Sequence, residues 1–289
     1  MPNQTMGDFA AEQLTADIHR FEGGTEVDRV IAAANCLLGM RWEKRRESKL
    51  PSEFAPRTLE EAYQVQDRVV EQVLARIGGQ TVGYKVAATN VRAQELLAVH
   101  APLYGRLLSA SCHPSPATLS ASDFTIRCVE AEFGFEVGED VPAIGKAYTA
   151  ETVKEYLSAA LPSLEIVDHR YHDWSKVGAP CLVADNAIHG AWVEGERFSN
   201  WRTLDFAHHP LTVFVNGAAF ATGSGAAVLG NPLTVVAWLA NELPRYGGKL
   251  LRGDRITTGT AAEVYFASAG DHIRADFGSL GHVEVTFAG

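Results

Sequence analysis

Arg127-Cys128-Val129-Glu130-Ala131-Glu132-Phe133-Gly134-Phe135-Glu136-Val137 alternates with a period of two. That period predicts a β-strand. Val129, Ala131, Phe133, Phe135 and Val137 fall on one face, and Cys128, Glu130, Glu132, Gly134 and Glu136 fall on the other. The first face is core. The second places successive carboxylates ~7 Å apart, where like charges repel, and no Lys or Arg breaks the row. Either water screens them on a solvated face, or a hard divalent cation is held by their oxygens. The strand alone leaves both readings open.

Upstream of this strand the pattern is helical. Phe9, Leu14 and Ile18 mark one helix, and Val27, Val30, Ile31, Ala34 and Leu38 mark a second, with Gly23-Gly24 between them. The basic run over residues 41–49 reads as a solvated face or loop. Thr58 and Glu61 have the spacing of a capping box that opens a helix to Ile77, stopped by Gly78-Gly79. A strand carrying Lys85 follows over 82–87, then a short helix over 90–97 and an extended segment over 102–108.

Downstream, residues 152–160 read as a helix stopped by Pro162. Residues 164–167 read as a strand with Glu165 in apolar company. Asn216-Gly217 is a hairpin signal, and Asn231-Pro232 opens a helix to about Tyr246. Strands are expected over 255–259, 272–277 and 282–287. Helices early and strands late predict an α+β fold, not a doubly wound sheet. The expected division is an N-terminal helical region, 1–80, and a β-rich metal-binding catalytic domain, 81–289.

The 289 residues are 46% hydrophobic and 21% charged, enough for a large core. A formal net charge of -10 argues against a nucleic-acid partner, which needs a basic surface. An anionic substrate would need a local cation. Cys36, Cys112, Cys128 and Cys181 form no C-x-x-C pair and read as reduced, mostly buried thiols. The N-terminus lacks the pattern of a signal peptide, and the apolar-rich run over 31–40 is too short to span a bilayer. A soluble cytoplasmic protein is the expectation.

Several motifs are read against simpler meanings. Gly223-Ser224-Gly225 with Gly230 has the wrong spacing for a dinucleotide fingerprint. It is a turn, or a loop whose amides and Ser224 hydroxyl face a substrate. No G-x-S-x-G occurs. Asp168-His169-Arg170-Tyr171-His172-Asp173 has metal-ligand residue types but reads as a surface loop, and His208-His209 reads as loop too. Lys85 points outward from an edge strand, or inward, where it could move protons. Glu165 is expensive to bury unless paired or bound to a metal. With Glu130 and Glu132 it would make a three-carboxylate site suited to Mg²⁺ or Mn²⁺.

Gly83-Tyr84-Lys85-Val86-Ala87-Ala88-Thr89, Glu130-Ala131-Glu132, Leu161-Pro162-Ser163-Leu164-Glu165-Ile166-Val167 and Val183-Ala184-Asp185-Asn186-Ala187 occur in that order. Leu229-Gly230-Asn231-Pro232-Leu233, Trp238-Leu239-Ala240, Gly253-Asp254 and Thr258-Gly259 extend the set. Together they resemble the 2-keto-4-pentenoate hydratase family of the fumarylacetoacetate hydrolase superfamily, from about residue 58 to the C-terminus. The resemblance implies a β-roll core flanked by helices, with a smaller N-terminal helical part. It implies a divalent metal on Glu130, Glu132 and Glu165, acid/base chemistry at Lys85, a homo-oligomer, and a role in aromatic catabolism. One segment departs. Where relatives have a pattern like V-D-x-P-D-[FY]-G, this chain has Val99-His100-Ala101-Pro102-Leu103-Tyr104-Gly105, so His100 and Leu103 replace two acids.

The activity expected from the resemblance is a metal-dependent hydratase, a carbon–oxygen lyase. It would add water to a 2-hydroxy-2,4-dienoate or 2-oxo-4-enoate through a metal-stabilised dienolate. Lys85 would move the proton, with His100 as the candidate in place of the missing acid, and Ser224 and Thr258 are candidates for holding the substrate. Decarboxylation of a 2-oxo-dioate or C–C hydrolysis of an acylpyruvate at the same metal are the alternatives, and a non-catalytic binding protein on the same fold is another.

Overall fold

Two threonines start the long helices. A computed structural model describes residues 25–289, so the helix expected around Phe9, Leu14 and Ile18 lies outside the described residues. Thr25 caps α1 (Glu26–Trp42), its hydroxyl accepting from the Asp28 N–H while Asp28 bonds back to the Thr25 N–H. Thr58 caps α2 (Leu59–Ile77) by accepting from the Glu61 N–H. Here the reciprocal bond expected of a capping box is replaced, because the Glu61 carboxylate accepts from the Arg57 N–H instead. Ala62, Val65, Val69 and Val73 form the buried stripe of α2, and Gly78, at φ 78°, ends it.

The chain then becomes β-rich. The strands are β1 (Thr81–Ala87), β2 (Leu103–Leu108), β3 (Cys112–Pro114), β4 (Ala117–Ser120), β5 (Cys128–Val137), β6 (Leu157–Val167) and β7 (His189–Glu194). They continue as β8 (Pro210–Val215), β9 (Ala218–Ser224), β10 (Arg255–Thr260), β11 (Tyr265–Phe266), β12 (His272–Asp276) and β13 (His282–Ala288). Between them lie α3 (Val91–Leu97), α4 (Ala150–Val153), α5 (Ala179–Ala184) and α6 (Pro232–Glu242).

The larger sheet runs β2-β1-β10-β5-β6-β7-β3, with β11 paired to the start of β5. The smaller runs β4-β13-β12-β8-β9. The apolar face of β5 packs toward the smaller sheet. There the Phe133 ring meets Phe277 edge-on at 5.1 Å between centroids, and Phe206 at 5.8 Å. The acidic face therefore turns the other way, toward α3, α5 and the turn after it. This is the mixed α+β arrangement that the residue pattern predicted, with the β-roll core and helical N-terminal part that the resemblance implied.

Three expectations are corrected. Residues 152–160 are not a helix: a single turn, α4, and a 3-10 turn lead into β6, which runs through Pro162. β6 is buried on both faces over most of its length, so its apolar run carries no period that separates strand from helix. Pro162 is tolerated because its carbonyl accepts from the Gly195 N–H just past the last residue of β7. Its missing donor thus faces a place where β7 no longer needs one.

Asp168, His169, Arg170 and Tyr171 are buried, not a surface loop; within that cluster only His172 is exposed. Arg170 holds Asp168 at 3.0 Å and Asp185 at 2.8 Å, and Arg41 reaches Asp185 at 3.5 Å. Paired charges can be buried where single ones cannot. Arg41 is accordingly not part of a solvated run: it sits in the last turn of α1 and crosses to Asp185, the residue that caps the C-terminal end of α5. The hairpin at Asn216-Gly217 forms as the turn chemistry predicts, with φ of 51° and 83°.

Candidate metal centre

Register across the sheet assembles the site. Glu130 on β5 stands directly opposite Glu165 on β6, and Glu132 stands two residues further along, opposite Ser163. Side chains directly opposite or diagonal on one face lie within reach of each other. Carboxylate oxygens of Glu130, Glu132 and Glu165 come within 4.8 Å of one another. Glu132 and Glu165 are fully buried, while Glu130 is partly open.

A bulge in β10 secures Glu132. The pairing of β10 with β5 slips between Thr257 and Thr260, and Gly259 takes φ 91° there. The slip turns the Gly259 N–H toward Glu132 Oε2, at 2.7 Å, and the Thr257 hydroxyl donates to the same oxygen. A Cβ at Gly259 would stand 1.9 Å from Thr89 Oγ1, so the bulge requires glycine.

β7 supplies a residue that the sequence reading missed. Its pairing with β6 slips at Gly190, which sets His189 opposite Val167. The His189 Nδ1 lies 2.9 Å from Glu165 Oε1, and the ring is buried. Nothing in an apolar strand with one histidine marks this role; only the slip creates it.

Lys85 closes the group from β1. It is 1% exposed, and its Nζ lies 3.1 Å from Glu165 Oε1 and donates to the Ala187 carbonyl at 3.0 Å. That carbonyl belongs to an unusual turn. Asn186, Ala187 and Ile188 take φ of 53°, 49° and 58°, three non-glycine residues in the left-handed region. Such backbone persists where its surroundings over-determine it. Here the Asn186 side chain bonds both the N–H and the carbonyl of Arg106 on β2, at 2.7 and 2.9 Å.

The charges are unbalanced. Burial would push the Lys85 ammonium down, but Glu165, Glu130 and Glu132 together hold its pKa above the ordinary value. Burial and the neighbouring Glu165 push Glu130 up to about 6. Burial and the same repulsion push Glu132 well above the usual range. Burial opposes ionisation of Glu165 too, yet Lys85 and His189 outweigh it and hold that carboxyl low. One lysine thus faces three carboxylates. Glu132 Oε1 and Glu165 Oε2 are buried with no hydrogen-bond partner among the described residues. Orphaned buried carboxylate oxygens are costly. An all-oxygen site of this kind fits a hard divalent cation.

A cavity of about 660 Å³ opens above the centre, lined by Lys85, Glu130, Leu97, Leu103, His169 and Phe266 among others. Of the residues proposed from sequence, the structure brings Lys85, Glu130, Glu132 and Glu165 together. His100 is exposed in the turn after α3 and does not line the cavity. Ser224 ends β9 and does not line it. Thr258 is buried beneath it, its hydroxyl donating to the Phe133 carbonyl at 2.8 Å. Leu103, the other departing position, does line the cavity and is 2% exposed.

The sequence model for the fumarylacetoacetate (FAA) hydrolase C-terminal region matches residues 68–288. The chain is 35% identical over 191 residues to a 2-hydroxypent-2,4-dienoate hydratase of Pseudomonas putida, covering 66% of this chain and 84% of that protein. It is 31% identical over 234 residues to a 2-keto-4-pentenoate hydratase of Paraburkholderia xenovorans, covering 81% and 86%. Its backbone matches the 4-oxalocrotonate decarboxylase of Pseudomonas putida G7, solved with magnesium and adipate, at a TM-score of 0.83 and 27% identity over 90% of this chain and 97% of that one. The chain therefore belongs to the fumarylacetoacetate hydrolase family. Within it, the chain falls in the 2-keto-4-pentenoate hydratase branch that its ordered motifs predicted.

Proposed function

We propose that the protein is a divalent-metal-dependent lyase acting on a short 2-hydroxy-2,4-dienoate or its 2-oxo tautomer, with addition of water to the remote double bond as the leading reaction. The observation that carries this is the buried trio Glu130, Glu132 and Glu165, with two orphaned oxygens, at the base of a largely apolar cavity beside Lys85. Magnesium or manganese held by these three would supply Lewis-acid polarisation of the substrate's carboxylate and 2-oxo oxygens. Lys85, held as the ammonium by the three carboxylates, gives a proton to the substrate from Nζ and then takes one back, steadied by the Ala187 carbonyl. His189 orients Glu165. Leu97, Leu103 and Phe266 keep water away from the rest of the chain of the substrate.

A second reading is decarboxylation of a 2-oxo-dioate, and Leu103 favours it. Hydration needs a group that activates water at the remote carbon, and an apolar side chain cannot. Loss of CO₂ needs only an electron sink and a proton donor; a metal held by the trio would supply the first by polarising the 2-oxo group, and Lys85 the second. The test uses the Mg²⁺-loaded protein with a 2-hydroxydienoate and, separately, a 2-oxo-hexenedioate. Loss of diene absorbance with a 4-hydroxy-2-oxo acid as product supports hydration, and released CO₂ supports decarboxylation. No turnover of either overturns both.

We also propose a division of the chain into 1–80 and a catalytic region, 81–289, since among the described residues the long helices Glu26–Trp42 and Leu59–Ile77 precede residue 80 and every strand and every proposed ligand follows it. The proposal extends to a cytoplasmic homo-oligomer in aromatic catabolism without a nucleic-acid partner. The exposed apolar side chains of Val91, Leu96 and Phe266 beside the cavity, the net charge of -10, and the absence among the described residues of any helix long and apolar enough to cross a membrane support it.

A further inference from the structure

His169 is not explained by the metal centre. It lines the cavity yet is 5% exposed, and it lies four residues beyond Glu165 along the same chain. β6 ends at Val167, so at about 3.3 Å per residue of extended chain the Cα atoms of Glu165 and His169 are at most roughly 13 Å apart. The Tyr171 N–H donates to its Nδ1 at 3.3 Å. That bond selects the tautomer with the proton on Nε2. Nε2 has no protein partner among the described residues and is not one of the sealed-off polar atoms. The ring is held by its surroundings: Asp168, next in the chain, accepts from the Thr125 and Ile126 N–H groups at 3.0 and 2.8 Å, and Arg170 clamps Asp168 from the other side.

A donor with no protein acceptor, open to a cavity whose wall is otherwise largely apolar, is free to meet an oxygen of the ligand. We infer that His169 is a specificity-determining residue that donates from Nε2 to an oxygen at the substrate end remote from the three carboxylates. The site is thereby tuned to a 2-oxo acid with a second carboxylate at its tail over one that ends in an alkyl group. The inference rests on the proposed lyase site, because the trio must hold the 2-oxo end for His169 to meet the other. It makes the terminal oxygens, not the double bonds, the feature read at that end. Arg92 also lines the cavity and is the competing cation.

The experiment measures binding, not turnover. The probes are 2-oxoadipate and 2-oxohexanoate, six-carbon acids that differ only in their terminal oxygens, titrated calorimetrically into the Mg²⁺-loaded protein. A hydrogen bond to a charged acceptor gives the wild type a preference of at least about ten-fold for 2-oxoadipate. His169→Phe, which keeps a ring but no donor, should reduce it to within about two-fold. His169→Gln, which returns a donor near Nε2, should restore most of it, and Arg92→Ala should leave it in place. Equal binding of the two acids by the wild type, an unchanged preference in His169→Phe, or its loss in Arg92→Ala overturns the inference and leaves the lyase reading standing. Failure of the wild type to bind either acid overturns the lyase reading as well.

Discussion

Lys85 and Glu165 form a buried ion pair, Nζ to Oε1 3.1 Å, with side chains 2% and 0% exposed. The two residues come from strands that are not neighbours: β10 and β5 lie between β1 and β6 in the sheet. The pair therefore bridges the sheet over the strands that carry the rest of the centre. It is also incomplete, because Glu130 and Glu132 share the one cation.

Removing that cation separates catalysis from folding. Lys85→Met should lower kcat by about 10²–10⁴-fold, the usual worth of a positioned proton-transfer group. It should also lower the stability of the metal-free protein by about 3–5 kcal/mol, since three carboxylates lose their counter-charge. Added Mg²⁺ should recover much of the stability and none of the rate. Thermal melts with and without Mg²⁺, beside steady-state kinetics, check both halves. A variant with unchanged kcat would remove Lys85 from the mechanism.

Metal removal should abolish activity. Chelation followed by Mg²⁺ or Mn²⁺ should restore it, and Glu132→Gln should bind Mg²⁺ at least about ten-fold more weakly while lowering the rate by several hundred-fold. Isothermal titration of the metal into the chelated protein reads the first effect directly. If Mg²⁺ binds Glu132→Gln as tightly as the wild type, the ion sits elsewhere.

In the metal-free protein, stability should fall as pH rises through the window from 4.5 to about 6. Glu130 has an ordinary value of 4.5 and is pushed up to about 6 when folded, so in that window the folded state binds more protons than the unfolded one. Each step up in pH then favours unfolding. Glu132 shifts in the same direction, whereas Glu165 is held low and contributes the opposite slope at lower pH. Glu130→Gln should flatten the fall between pH 4.5 and about 6. Melts in a chelating buffer check it, and a rising stability across that window in the wild type would contradict the assignment.

Gly259→Ala should be among the most damaging single-methyl additions in the protein. The new Cβ meets Thr89 Oγ1 at 1.9 Å at a backbone angle of φ 91°, and relieving it moves the N–H that holds Glu132. A cost of about 1–3 kcal/mol, or a few degrees in Tm per kcal/mol for a chain this size, is expected together with weaker Mg²⁺ binding. Gly145→Ala makes the control: it also has positive φ but nothing within 4 Å, so it should carry the strain without the effect on metal.

Much of this protein could be read before its fold was known, because the relevant signals are local. Alternation over β5 separates Phe133 from Glu132 whatever the strand packs against, and Thr58, Asn216-Gly217 and Asn231-Pro232 act on their own neighbours. Ordered motifs carried the family. What local pattern could not carry was where charges meet. Arg170 looked solvated because its partner Asp185 is 15 residues away, and 152–160 looked helical because a strand buried on both faces has no period. His189 became a partner of Glu165 only through a slip in strand pairing, and His169 a cavity wall only through the burial of its loop.

The sequence by itself determined that the acidic face of β5 needed either water or a cation. Only the tertiary structure set aside the solvated face. It set Glu165 opposite Glu130, sealed Glu132 Oε1 and Glu165 Oε2 away from solvent, and brought in one lysine where three carboxylates stand. The physical reason is that the cost of a charge depends on what surrounds it, and those surroundings come from strands far apart in the chain.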